Sequence, residues 1–213
     1  MVQAFALLAI IALLCGDSPA AAVKPIKIVA LGDSLTAGFG LTANEAFPER
    51  LERALKAKGH AVEVVNAGVS GDTAAGGLAR LDWSVPEDAD GVILALGAND
   101  MLRGFDPKLT RRTLDAILRR LTERRLEVLL AGMRAMPNLG TDFGEGFEAI
   151  YKELAAKYRV VFYPFFLEGV AGDAGLNLRD GVHPSAAGVD SMVAGILPKA
   201  EELIDRIRKR PPS

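Results

Sequence analysis

Five short apolar runs, separated by stretches of helix length, constrain this chain more than any other feature. They are Ile26–Leu31, Val62–Val65, Val92–Leu96, Val128–Ala131 and Val160–Tyr163, each of strand length and most rich in β-branched residues. Val92-Ile93-Leu94-Ala95-Leu96 contains no polar residue, as expected of a strand buried on both faces. After the first run, Phe47, Leu51, Ala54 and Leu55 recur at helical spacing until Gly59, with Asn44 as the expected cap. Ala74 to Leu81 reads as helix despite Gly76 and Gly77. Asp106 followed by Pro107 starts another helix, whose buried stripe is Leu114, Ile117, Leu118 and Leu121. A further helix is expected over about 147–158. The last starts near Ser185 and runs to about Arg208, with a kink at Pro198. Strands alternating with helices build βαβ units, so the fold class is α/β: three layers, with a five-stranded parallel sheet between helices. No repeat or linker divides residues 23–213, which are expected to form one domain. The whole chain of 213 residues is also short for an eight-stranded barrel, which takes about 250.

The N-terminal 22 residues have a different character. An apolar run from Ala4 to Cys15 is followed by Gly16-Asp17-Ser18-Pro19 and then Ala20-Ala21-Ala22. The run is too short to cross a bilayer, which needs about 20 apolar residues. It fits the apolar core of a secretory signal, with Ala20 and Ala22 as an A-x-A-like cleavage site, although Met1-Val2-Gln3 carries no basic side chain. Residues 1–22 are therefore expected to be a cleaved signal peptide and the protein periplasmic or secreted, with no stable membrane anchor after cleavage. Cys15 is the sole cysteine, so the mature chain would have none to manage in an oxidising compartment.

Charge and composition exclude several partners. Twenty-five basic residues against 27 acidic ones leave a net charge of −2, which sets up no general attraction for nucleic acid. Two histidines and one cysteine cannot build the usual zinc cages. No phosphate-cradling glycine motif follows a strand. The arginines between Arg111 and Arg125 share a helix with Asp115 and Glu123 and read as its solvated face.

Chemistry concentrates after the strands, at whose carboxyl ends open parallel sheets bind their ligands. Gly32-Asp33-Ser34-Leu35 follows the first strand, Gly68-Val69-Ser70-Gly71-Asp72-Thr73 the second and Gly97-Ala98-Asn99-Asp100 the third. Asp180-Gly181-Val182-His183 precedes the last helix. Together they hold a hydroxyl, an imidazole and a carboxylate. His60 sits in a helix-to-strand turn at the opposite edge, which leaves His183 as the useful histidine. Asp180, three residues earlier, is close enough to hold one ring nitrogen while the other faces Ser34. Asp33 and Asp100 are expected to organise their turns through backbone hydrogen bonds, and Thr73 to cap the helix after it. Met101 and Leu102, with Met133 and Met136 from a turn-rich segment, are candidates for an apolar acyl groove, the alternative being that they pack under the loops.

The segment Gly32-Asp33-Ser34-Leu35-Thr36-Ala37-Gly38 resembles the opening block of the GDSL, or SGNH, hydrolases. Gly71, Asn99 and His183 match the remaining letters of the second name. The likeness extends through Asn66–Thr73, Gly77-Leu78-Ala79-Arg80-Leu81 and Leu102–Phe105, and covers about residues 26–205. It is similar to the branch of bacterial periplasmic thioesterase/lysophospholipases and arylesterases, except that residues 97–100 lack the second glycine of many relatives. This resemblance implies a flavodoxin-like architecture and a serine esterase acting on a small-molecule acyl ester or thioester, with no metal or organic cofactor. It implies attack by Ser34, His183 as general base, Asp180 as its orienting carboxylate, and an oxyanion hole from the Ser34 and Gly71 N–H groups and the Asn99 amide. Two alternatives remain open at this point: a carbohydrate O-deacetylase of the same superfamily, and a non-catalytic flavodoxin-like binding module.

Overall fold

The computed structural model describes residues 24–210; segment 1–22, read above as a signal peptide, lies outside them. The five runs form strands β1 (Ile26–Gly32), β2 (Val62–Gly68), β3 (Gly91–Ala95), β4 (Glu127–Ala131) and β5 (Val161–Tyr163). They pair in parallel in the order β2-β1-β3-β4-β5. The register places Gly32 opposite both Gly68 and Ala95. The chain therefore leaves β1, β2 and β3 at one level, and the loops that follow emerge side by side.

Eight helices complete the described structure: α1 (Ser34–Ala37), α2 (Phe47–Ala57), α3 (Ala74–Ala79), α4 (Leu81–Ser84), α5 (Ala98–Leu102), α6 (Pro107–Glu123), α7 (Thr141–Tyr158) and α8 (Ala186–Lys209). Single 3₁₀ turns occupy Ala43–Glu45 and Pro137–Leu139. Helices α2 and α8 pack together on one face of the sheet, against β2 and against β4 and β5 respectively. Helices α3, α6 and α7 cover the other. The chain moves one way from β1 to β2 and the other way from β2 to β3, so right-handed crossovers put the connecting helices on opposite faces. The expected stripe of α6 is buried in full: Leu114, Ile117, Leu118 and Leu121, with Thr110.

Several local expectations need correction. Asn44 does not cap α2. Thr42 and Glu45 form a capping box on the 3₁₀ turn, and α2 begins without a side-chain cap at Phe47-Pro48. Burial of the Phe47 ring, edge-on to Phe166 at 4.8 Å, anchors that start instead. Residues 74–81 are not one helix but break at Arg80, whose side chain turns inward. Helix α7 starts at Thr141, before Phe147, and runs through Gly144 and Gly146. The last helix has its expected extent: α8 runs from Ala186 to Lys209 with Pro198 inside it, on the solvent side, while Ile196 and Ala200 are buried.

Candidate active site

Ser34 opens α1 where β1 ends. Asp33 caps that helix through its Oδ1, which accepts the Leu35 N–H at 3.0 Å. The His183 Nε2 stands 2.9 Å from the Ser34 Oγ, across 149 residues of chain. Its Nδ1 lies 2.7 Å from the Asp180 Oδ2. A carboxylate only accepts, so Nδ1 carries the hydrogen and Nε2 keeps a lone pair for the serine hydroxyl. The other Asp180 oxygen accepts the Val182 and His183 N–H groups at 2.9 and 3.0 Å. Those backbone bonds, with the imidazole contact, lower the Asp180 carboxyl to about 2 and keep it ionised. Asn177, buried below this loop, donates to the carbonyls of Val170 and Asp173 at 2.7 Å each. The Phe39 ring leans on the imidazole with centroids 4.4 Å apart.

Beside Ser34 the loops after β2 and β3 interlock. Asn99 donates through Nδ2 to the Asp72 carbonyl at 3.0 Å and to the Asp33 Oδ2 at 3.4 Å. Asp100, 2% exposed, accepts the Ala74 N–H at 2.8 Å and so ties the start of α3 to the loop after β3. Thr73 caps α3, as expected, by accepting the Gly76 N–H. Among the described residues, neither the Ser34 nor the Gly71 N–H has a hydrogen-bond partner. Gly71 has φ +83°, the left-handed region that glycine adopts without strain. A Cβ there would meet nothing nearer than the Arg103 Nη2 at 3.9 Å. Backbone conformation, rather than crowding by the protein, is what favours glycine at this position. His60 lies far along the chain in the Gly59 turn, 3.4 Å from Glu201, and takes no part in this cluster.

The model of the GDSL-like lipase/acylhydrolase family matches residues 30–190. The chain belongs to that family. It is 35% identical to esterase TesA of Pseudomonas aeruginosa over 83% of this chain and 89% of that one. It is 38% identical to an arylesterase of Vibrio mimicus over 74% and 80%. A crystal structure of the SGNH-hydrolase family esterase AlinE4 superimposes with a TM-score of 0.72 at 43% identity, covering 84% of this chain and 96% of that one. The fold is that of SGNH hydrolases, and the protein is a hydrolase of ester bonds.

A cavity of about 760 Å³ opens beside Ser34, Asn99 and His183. The four candidate groove residues Met101, Leu102, Met133 and Met136 all line it, with Leu35, Ala98 and Ala135. Phe165, Leu167 and Ala171, which also line it, come from the segment after β5, which sequence reasoning passed over. The apolar Phe165-Phe166-Leu167 following that strand was the signal for it. Arg134 stands on the wall with its guanidinium 4.8 Å over the Phe165 ring. Arg80 was the other omission: it figured only as a letter in a family motif, yet its buried guanidinium reaches the ends of β1 and β2 and the loop after β2.

Proposed function

We propose that Ser34, His183 and Asp180 form the catalytic triad of this hydrolase, acting on acyl esters and thioesters through an acyl-enzyme. As the Ser34 Oγ bonds to the acyl carbon, its proton passes to the His183 Nε2, and Asp180 holds the imidazolium that forms. Collapse of the tetrahedral intermediate breaks the bond to the alcohol or thiol, which leaves with the proton from His183. Water then repeats the sequence on the acyl-enzyme. The observation that carries this reading is the continuous Asp180–His183–Ser34 relay, at 2.7 and 2.9 Å, opening into an apolar cavity.

The Ser34 and Gly71 N–H groups, free of protein partners, are assigned to the oxyanion with Asn99 as the third donor. Both Asn99 amide hydrogens are engaged, but the 3.4 Å bond to Asp33 is long and weak and is the one released toward developing charge. Met101, Leu102, Met133 and Met136 are assigned to the acyl chain. A wall of thioether and aliphatic groups, with Phe165 as its one phenyl ring among the described residues, suits flexible acyl chains better than the stacked rings of a glycan. The relatives' names, esterase and arylesterase, agree with that choice.

The test uses a fluorophosphonate probe and a panel of aryl esters of several chain lengths, acyl-CoA, lysophospholipid and acetylated sugars. Ser34→Ala should lose both turnover and labelling. Asn99→Ala should keep slow labelling while kcat falls about 10²–10³-fold at nearly constant KM, the signature of a donor used only in the transition state. A folded Ser34→Ala protein that still turns over would overturn the mechanism, and preference for acetylated sugars would overturn the substrate class.

A further inference from the structure

We infer that Arg80 is a positioning residue of the reaction, holding the oxyanion-binding Asn99 in place through Asp72. The inference rests on the assignment of Asn99 made above. Arg80 is 6% exposed and does not line the cavity. Its Nη2 donates to the Gly32 carbonyl at 2.8 Å, immediately before Asp33 and Ser34. Its Nη1 donates to the Ala67 carbonyl at 2.9 Å and to the Ser84 Oγ at 3.0 Å. Its Nε donates to the Asp72 Oδ2 at 2.6 Å. One rigid planar group thereby spans the end of β1, the end of β2 and the loop that carries Gly71.

Asp72 converts that brace into geometry at the site. Its side chain is held by Arg80, while its own carbonyl receives the 3.0 Å bond from the Asn99 Nδ2. The Asn99 amide can present a hydrogen to an oxyanion only if that carbonyl stays where it is. The carboxylate also packs against α3, where a Cβ on Gly76 would come within 2.4 Å of the Asp72 Oδ1. This close fit leaves the residue little room to rearrange. A lysine at position 80 keeps the charge but offers one nitrogen in place of a fork, so it cannot hold Gly32, Ala67 and Asp72 in fixed relation. The break between α3 and α4 falls at this residue. The triad itself does not depend on Arg80: Ser34, His183 and Asp180 are linked by their own bonds.

The experiment is a double-mutant cycle between Arg80→Lys and Asn99→Ala, with Asp72→Asn as a milder break of the same link. Activity is expressed per folded molecule, with thermal unfolding measured alongside. Arg80→Lys should lower kcat about 10–100-fold with KM changed less than about threefold, and should retain fluorophosphonate labelling. Asp72→Asn, whose amide oxygen still accepts from Nε, should show a smaller loss of kcat than Arg80→Lys. In the Asn99→Ala background, Arg80→Lys should cost little more, because the group it positions is gone. Additive losses, or a wild-type kcat in folded Arg80→Lys protein, would overturn the inference. Failure of both Arg80→Lys and Asp72→Asn to fold would likewise assign the pair to stability alone and overturn it. A wild-type kcat in Asn99→Ala would instead remove the oxyanion assignment itself, so the two failures are distinguishable.

Discussion

At the scale of single residues, Asp33 is the group whose protonation should be visible in the stability of the fold. It is 1% exposed, and its burial raises the carboxyl from 3.8 to about 6, against the lowering influence of the Leu35 N–H and of His183. Between those two values the folded protein binds more protons than the unfolded chain, so stability falls as pH rises from about 4 to about 6. Each pH unit separating the folded and unfolded titrations corresponds to about 1.4 kcal/mol, which makes the change roughly 1–3 kcal/mol. Asp33→Asn removes the titration while keeping an oxygen for the Leu35 N–H. Urea unfolding from pH 4 to 7 should therefore show the variant gaining stability relative to wild type as pH rises. A constant difference across that range would show that Asp33 does not titrate there. His183 and His60 make the complementary point about residues. The chain has two histidines, and position relative to the strand ends separated them before any coordinates did: one lies 2.9 Å from the Ser34 Oγ, the other pairs with Glu201.

At the scale of elements, α6 formed as its sequence predicts because its signals are strong and local. The Asp106 Oδ1 accepts the Lys108 N–H at 2.8 Å, Pro107 occupies the first turn, and the apolar stripe meets the sheet. Asp106→Ala should destabilise the protein by about 1 kcal/mol, measured by denaturant unfolding, with kcat unchanged. A loss near zero would show that water replaces this cap at no cost. The arginines of α6 follow the solvated reading, and several also make surface contacts. Arg112 and Arg119 are exposed, whereas Arg111 and Arg120 pair with Glu153 and Asp82, and Arg124 donates to the carbonyls of Val85 and Pro86. Helices α2 and α3 departed from expectation for the converse reason. Asn44 was as good a cap by residue type as Thr42, but the buried Phe47 decided where α2 begins. Nothing in Gly77-Leu78-Ala79-Arg80 announces that its arginine must turn inward.

At the scale of the whole molecule, the export reading makes its own prediction. If residues 1–22 are a cleaved signal, N-terminal sequencing of protein recovered outside the cytoplasm should begin at Val23, and an intact Met1 there would refute it. Much of the fold and site was legible in the sequence. The strands, their parallel pairing and the loops carrying Ser34, Gly71, Asn99 and His183 rest on signals of only a few residues: apolar runs, glycine turns and caps. The Asp180–His183 pairing belongs with them, being a contact across three positions. Tertiary structure alone decided the strand order β2-β1-β3-β4-β5, the cavity lining at Phe165 to Ala171, the buried anchor Asn177, and the place of Arg80. Arg80 bonds to carbonyls 13 and 48 residues away, and the Asn99 amide to one 27 residues away. A local pattern carries no record of which distant backbone groups packing will bring within 3 Å.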